Sequence, residues 1–394
     1  ALEADGLSVT GEGDVVITDL NGSDADLLGI DVSGDISFDL GSADASLGAA
    51  FSFAGTTYAV SSDGARTLDI TAVGTLPGGA GFVVGADATL RLTSAQADSL
   101  SVSGAGSVIV EDVTATTNLS QIVTEYFEVS LEYSGTYVDL RSNNTLSTVD
   151  RYEIMGTGSI SFVVNGNQAS GREIVADLVG GHEPFIVGLP SDADFSKIIA
   201  RSAYIILDSD TSLSSSANLS GITSIFLAGR TLTVDADFLP VEVIRFQPGG
   251  EAGFWYFHFN PDDDSIGSLI VAGVKSNSDL FTFIDTRYGI PSISARIDAG
   301  DAIDLSSNNT LGAVTGFEIG MGATLTIRAG QVSGDTATGD GSIVVSELNG
   351  SEADLSDIKP LGGVTLALGA ADASLGAAFS FAGTTYAVSS DGAR

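Results

Sequence analysis

The C-terminal segment of the chain, Ala371–Arg394, repeats Ala43–Arg66 without a change: ADASLGAAFSFAGTTYAVSSDGAR stands in both places. The same offset holds further back, where GEGDVVITDLNGSDADL (Gly11–Leu27) returns as GDGSIVVSELNGSEADL (Gly339–Leu355). Positions 1–328 are therefore one long repeat, and positions 329–394 are the opening of the next, repeating 1–66. Such a chain is expected to build an array whose units bury their apolar faces on their neighbours. Starting inside one repeat and stopping inside another is expected of a window on a longer tandem chain, or of a processed subunit.

Shorter echoes sit inside the long one. Ala95–Val110 matches Leu2–Ile17, and Asp139–Phe162 matches Asp304–Ile327. Their common core is Asn or Asp, then Leu, a small residue, any residue, and Ile or Val. It recurs around Leu27, Leu119, Leu146, Leu219, Leu311 and Leu355. Each copy is followed by short alternating runs such as GFEIG and ATLTIRA, rich in β-branched residues and bounded by Gly, Asn, Asp and Ser. No stretch keeps a helical period over helical length. The pattern predicts an all-β fold: a parallel β-solenoid with Gly, Asn and Asp at its corners and a coil of roughly 20 residues. A string of β-sandwich domains is the alternative, since one echo lies about one sandwich length away. The motif also recurs from Leu119 to Leu146 and from Leu311 to Leu355, intervals too short for a sandwich.

Composition narrows the function classes. Lys+Arg number 15 against Asp+Glu 51, a net charge of −36. That field repels nucleic-acid phosphates and anionic lipid, and it favours cations. Cysteine is absent, which excludes disulfides and thiolate metal sites. No run approaches the roughly 20 apolar residues of a membrane helix, so direct membrane insertion is not expected. Ten of the 15 basic residues fall between 141 and 300, together with the only Trp. Three sections are therefore expected: an acidic solenoid at 1–164, a divergent, more basic and aromatic section at 165–300, and a solenoid section at 301–394, of which 329–394 repeats 1–66.

Four residue groups are candidates for chemistry. The pairs Asp24/Asp26, Asp192/Asp194, Asp208/Asp210 and Asp235/Asp237, and the loop run Asp262, Asp263 and Asp264, supply hard oxygen ligands that suit Ca²⁺. They suit equally well the solvated edge charge that keeps a stacked sheet from pairing laterally. Asn21, Asn118, Asn143, Asn218, Asn308 and Asn349 each begin N-x-[ST]. They are candidate glycan acceptors, or else turn residues that hydrogen-bond the next coil's backbone. The aromatic segment Gly253–Asp264, with Trp255 and Tyr256, is a candidate buried strand, interface or glycan platform. In the duplicated segment Phe51, Phe53 and Tyr58, and their copies Phe379, Phe381 and Tyr386, mark a candidate subunit junction. Catalytic signals are sparse: His182 and His258 are the only histidines, and GxSxG, HExxH and P-loop patterns are absent. No enzymatic activity and no organic cofactor are expected, with a β-helix polysaccharide-degrading enzyme as an alternative.

The pairs Gly322–Ile327 with Gly339–Val345, and Ala88–Leu92 with Gly104–Val110, read G-A-T-L-T-[ILV], an A-Q-x-x-G-like turn, then G-x-G-S-[IV]-V-V. This resembles the large repetitive extracellular surface proteins of bacteria: adhesins, S-layer-like proteins and filament-forming exoproteins. The resemblance implies a cell-surface location and a structural or adhesive role. The partners it implies are copies of the chain itself, or glycans reached through the 240–265 segment.

Overall fold

The structure, a computed structural model, describes residues 2–53, 57–132, 137–155, 160–176, 181–236, 245–247, 268–276, 278, 292–382 and 385–392. It is nearly all β, and every strand pair among these residues is parallel. The parallel sheets stack as a β-solenoid, which decides against sandwich domains. The chain divides into two compact units, Ala1–Val187 with Phe195–Ala203, and Gly188–Asp194 with Tyr204–Arg394. The three boundaries between them fall within the 165–300 section.

In the first unit the longest run of paired strands begins Val15–Ile17, Ile36–Asp39, Thr57–Ser61, Gly81–Val84, Ser101–Glu111 and Ile122–Leu131. One inward row follows Val15, Ile36, Tyr58, Phe82, Val102 and Ile122 from strand to strand. The steps along this row give the coil repeat, and they lie close to the length read from the sequence. In the second unit the strands Thr324–Arg328, Ser342–Ser346, Val364–Ala367 and Tyr386–Ser389 continue the same logic. One rung joins residues further apart in sequence: Thr231 pairs with Ser268, and the register holds from there to Asp235 with Ala272.

The recurring Leu motif is the corner. In all six copies the Leu carbonyl accepts the N–H of the Ile or Val three residues on, at 2.9–3.2 Å. All six leucines are buried. The motif therefore closes a tight turn and drives two apolar side chains inward at once. Each such side chain contributes about 1.5–3 kcal/mol on burial.

The G-x-G in front of the strands has a steric origin. Gly104 and Gly339 have φ of +125° and +107°, and a Cβ on either would run into the carbonyl of the coil before, Val84 or Ile319. The backbone passes too close there, in a conformation that L-residues avoid. In the Ser101–Glu111 strand the register shifts between Gly104 and Ser107, so this is a bulge that turns the corner without ending the strand.

Candidate functional site

The duplicated segment offers a comparison of two identical sequences in different surroundings. In the internal copy Phe51, Phe53 and Tyr58 are 4%, 2% and 0% exposed. The preceding coil brings Phe38, stacked on Tyr58 at 4.8 Å, and the following coil brings Phe82, 5.8 Å from Phe53 and 6.0 Å from Tyr58. In the second copy Phe379, Phe381 and Tyr386 keep the same mutual packing, with ring separations of 5.0 and 5.1 Å. There Phe381 is 49% exposed, Val388 66% and Leu375 38%. The difference lies on one side. Val364–Ala367 covers the second copy from before, as Ile36–Asp39 covers the first. The described residues contain no strand that covers it from after in the way Gly81–Val84 covers Thr57–Ser61.

Three of the paired aspartates, Asp24, Asp26 and Asp210, accept backbone N–H groups. Asp24 accepts the N–H of Ala50, one coil further on, at 3.0 Å, and Asp210 that of Thr231 at 2.7 Å. Asp26 accepts the N–H of Leu28 at 3.0 Å, and Asp208 accepts the Ser209 hydroxyl at 3.1 Å. Asp192 is exposed, and Asp194 bridges to Asn218 in the next coil. Asp235 lies beside the left-handed Gly273 of the following rung. Asp237, Asp262, Asp263, Asp264, Trp255, Tyr256 and His258 lie outside the described residues. The coil-to-coil bond recurs at Asp5, Asp14, Asp44, Asp98 and Asp112, which hold the N–H groups of Asp26, Asp35, Thr67, Asn118 and Glu132 at 2.7–3.1 Å. Among the described residues no three histidine or acidic side chains are grouped so as to hold a metal ion.

The asparagines divide into two sets. Asn21, Asn218 and Asn349 are exposed and Asn118 is half-buried, and each accepts a bond from a backbone N–H through its side-chain oxygen. Asn143 and Asn308 are buried, which leaves no room for a glycan at either in the folded chain. Asn143 donates to the carbonyls of Thr114 and Thr117 at 2.9 and 2.8 Å and accepts from the N–H and hydroxyl of Thr145 at 3.0 and 2.7 Å. Asn308 makes the same set with Ser276, Ser278 and Thr310.

Three glutamines that the sequence reading did not single out play the same part. Gln96 donates to the carbonyls of Ile70 and Val73, Gln168 to those of Leu140 and Asn143, and Gln331 to those of Leu305 and Asn308. Each side-chain oxygen accepts the N–H three residues earlier, of Thr93, Asn165 or Arg328. The visible signal is the capping-box spacing T-x-x-Q and N-x-x-Q. The result is three inward amides, each collecting two carbonyls from the corner of the coil before.

On the outer face of the first unit, ionic side chains stand in register. Arg91 pairs with Glu111 and, at 3.4 Å, with Glu132; Arg151 pairs with Glu128 at 3.3 Å and Glu153 at 2.7 Å. Tyr126 donates to Glu128 at 3.2 Å. Burial raises the Glu128 carboxyl above its usual range, opposed by Arg151 and reinforced by the charge of Glu153. Burial and the Glu128 charge push the Tyr126 hydroxyl up to about 12. His182 is buried, and its Nδ1 accepts the N–H of Ile160 at 3.1 Å, a structural role.

Asp335, half-buried, is pushed up to about 6 by burial. A carboxyl raised in the folded state favours folding below its unfolded value near 4 and loses that contribution as pH rises through 6. Asp335→Asn is therefore expected to stabilise the second unit at pH 7, by about 1 kcal/mol after discounting for solvent screening. No gain is expected at pH 4. Thermal melts of both chains at the two pH values measure this.

No protein-family model matches this chain, and neither a curated protein nor a solved structure gives a match. Among the described residues no helix is long and apolar enough to cross a membrane.

Proposed function

We propose that this chain is a structural, non-enzymatic building block of an extracellular filament, surface layer or adhesin stalk, and that it associates with itself end to end. The single observation behind this reading is what recurs along the chain: the Leu corners, the carboxylate acceptors and the inward amides all serve coil geometry.

Sedimentation of the 394-residue chain over a wide concentration range, with electron microscopy of the same samples, tests the proposal. Concentration-dependent growth into linear particles is expected. Monodisperse monomers throughout would sink it.

Divalent cations, Ca²⁺ foremost, belong to the same proposal as partners of the acidic surface. With a net charge of −36, self-repulsion opposes both folding and stacking, and bound cations offset it by mass action. A lower melting temperature in chelator at low salt is expected, with Ca²⁺ restoring it. An unchanged melt would remove cations from the account.

A further inference from the structure

Three asparagines in the chain precede glycine, at Asn21–Gly22, Asn165–Gly166 and Asn349–Gly350. Glycine has no Cβ, so its backbone nitrogen is the least hindered that a preceding side-chain amide can meet. Asn-Gly is for that reason the pair most prone to close on itself. In two of the three pairs the folded chain holds both reacting groups, and it holds them from the next coil. Gly350 donates its N–H to the Ser374 carbonyl at 2.7 Å, and the Asn349 side-chain oxygen accepts the Ser374 N–H at 3.3 Å. Ser46 holds Gly22 and Asn21 in the same way, at 2.6 and 3.4 Å, and its hydroxyl adds a bond to Asn21 at 3.3 Å. Both asparagines are otherwise open to water. One serine of the following coil thus occupies, through its backbone, the nitrogen that would attack and the amide that would be attacked. Asn165 differs, since it is held by Gln168 of its own corner and by the Arg141 carbonyl of the coil before.

We propose that Asn21–Gly22 and Asn349–Gly350 are self-modification sites, closed while their coils are stacked and open when neighbouring coils part. In the opened coil the Gly350 nitrogen, having lost its proton, attacks Cγ of Asn349. The new N–C bond forms as the C–N bond of the side-chain amide breaks. The departing nitrogen takes up a proton and leaves as ammonia. Water then opens the cyclic imide at one of its two carbonyls, leaving an aspartyl or an isoaspartyl residue at that position. Water is the only co-reactant. Either product adds a carboxylate to a chain that already carries a net charge of −36. The isoaspartyl product also routes the backbone through the former side chain, one carbon longer. The oxygen that met the Ser374 N–H has then become part of the main chain, and the bracket cannot re-form in register. A passing separation of two coils is thereby written into the covalent chain.

The test incubates the chain at mildly alkaline pH, with and without urea. Each asparagine is followed by peptide mapping and by enzymatic methylation of isoaspartyl carboxyls. Conversion at Asn21 and Asn349 is expected to be about a hundredfold slower in the folded chain than in urea, because only the open fraction reacts. Equal rates in the two conditions would overturn the proposal. Ser46→Pro and Ser374→Pro each delete the N–H of one bracket and leave its carbonyl. Each is expected to speed conversion at its own asparagine about tenfold in the folded chain, as one lost hydrogen bond allows, and to leave the other asparagine unchanged. Every variant thus carries its own control. If a variant with the parent's far-UV spectrum accelerates both sites equally, or neither, the coil-to-coil bracket is not what protects them and the proposal fails.

Discussion

Phe53→Ala is expected to cost the first unit about 3–5 kcal/mol, whereas the identical change in the identical sequence, Phe381→Ala, is expected to cost the second unit less than about 1 kcal/mol. Phe53 lies among Phe38, Phe51, Tyr58 and Phe82, and truncation leaves a cavity bounded by rings that cannot all collapse into it. Among the described residues Phe381 has ring contacts with Phe379 and Tyr386, and half of its surface already faces water. Denaturant unfolding of both variants reads the difference, and equal losses at the two positions would overturn it.

The second large effect is expected at Asn143. Its amide nitrogen faces two backbone carbonyls, so Asn143→Asp replaces a donor with a buried acceptor that is charged at neutral pH. Both carbonyls lose this donor and the new charge faces their oxygens, for an expected loss of about 4 kcal/mol at pH 7. Burial and the two carbonyls raise the new carboxyl's folded pKa above the ordinary value near 4. The penalty should therefore be largest above that folded pKa and shrink as pH falls through it. Urea unfolding at pH 7.5 and pH 5 tests the sign. Asn143→Leu, which lacks the charge, should be pH-independent by comparison.

Most of the fold was legible because its causes repeat. The spacing of Leu27, Leu119, Leu146, Leu219, Leu311 and Leu355 encodes a corner, and each corner proved to be a closed turn with its Leu inside. Period-two runs such as Thr324–Arg328 became strands with alternating burial. The polar positions were harder to read. Asn143 and Asn21 both begin N-x-[ST], yet one is buried under a coil and the other exposed, since the difference is set by which corner each occupies and not by its neighbours in sequence. Gln96, Gln168 and Gln331 were missed as interior residues because a long polar side chain next to Ala or Gly reads as a surface turn. Their inward course depends on carbonyls of the preceding coil, far away in sequence. The aspartate pairs stand out in the sequence for their charge, while the structure gives Asp24 and Asp210 a backbone N–H in the adjacent coil to hold. The ionic ladder of Arg91, Glu111, Glu128, Arg151 and Glu153 depends on cross-strand register, which no single segment contains.

The parallel ladder also has a mechanical meaning. Its hydrogen bonds run from coil to coil within each unit, and the covalent chain crosses the same gap once per coil. A pull that separates neighbouring coils loads the bonds of one interface together, and after that interface fails the covalent link still holds. A coil such as the one from Ile36 to Tyr58 then releases about 70 Å of extended chain where it had occupied about 4.8 Å of the stack. Strained coils would yield one at a time, lengthening greatly while the material stays connected, and the inward amides of Gln96, Asn143, Gln168, Asn308 and Gln331 supply registration to the coils they join.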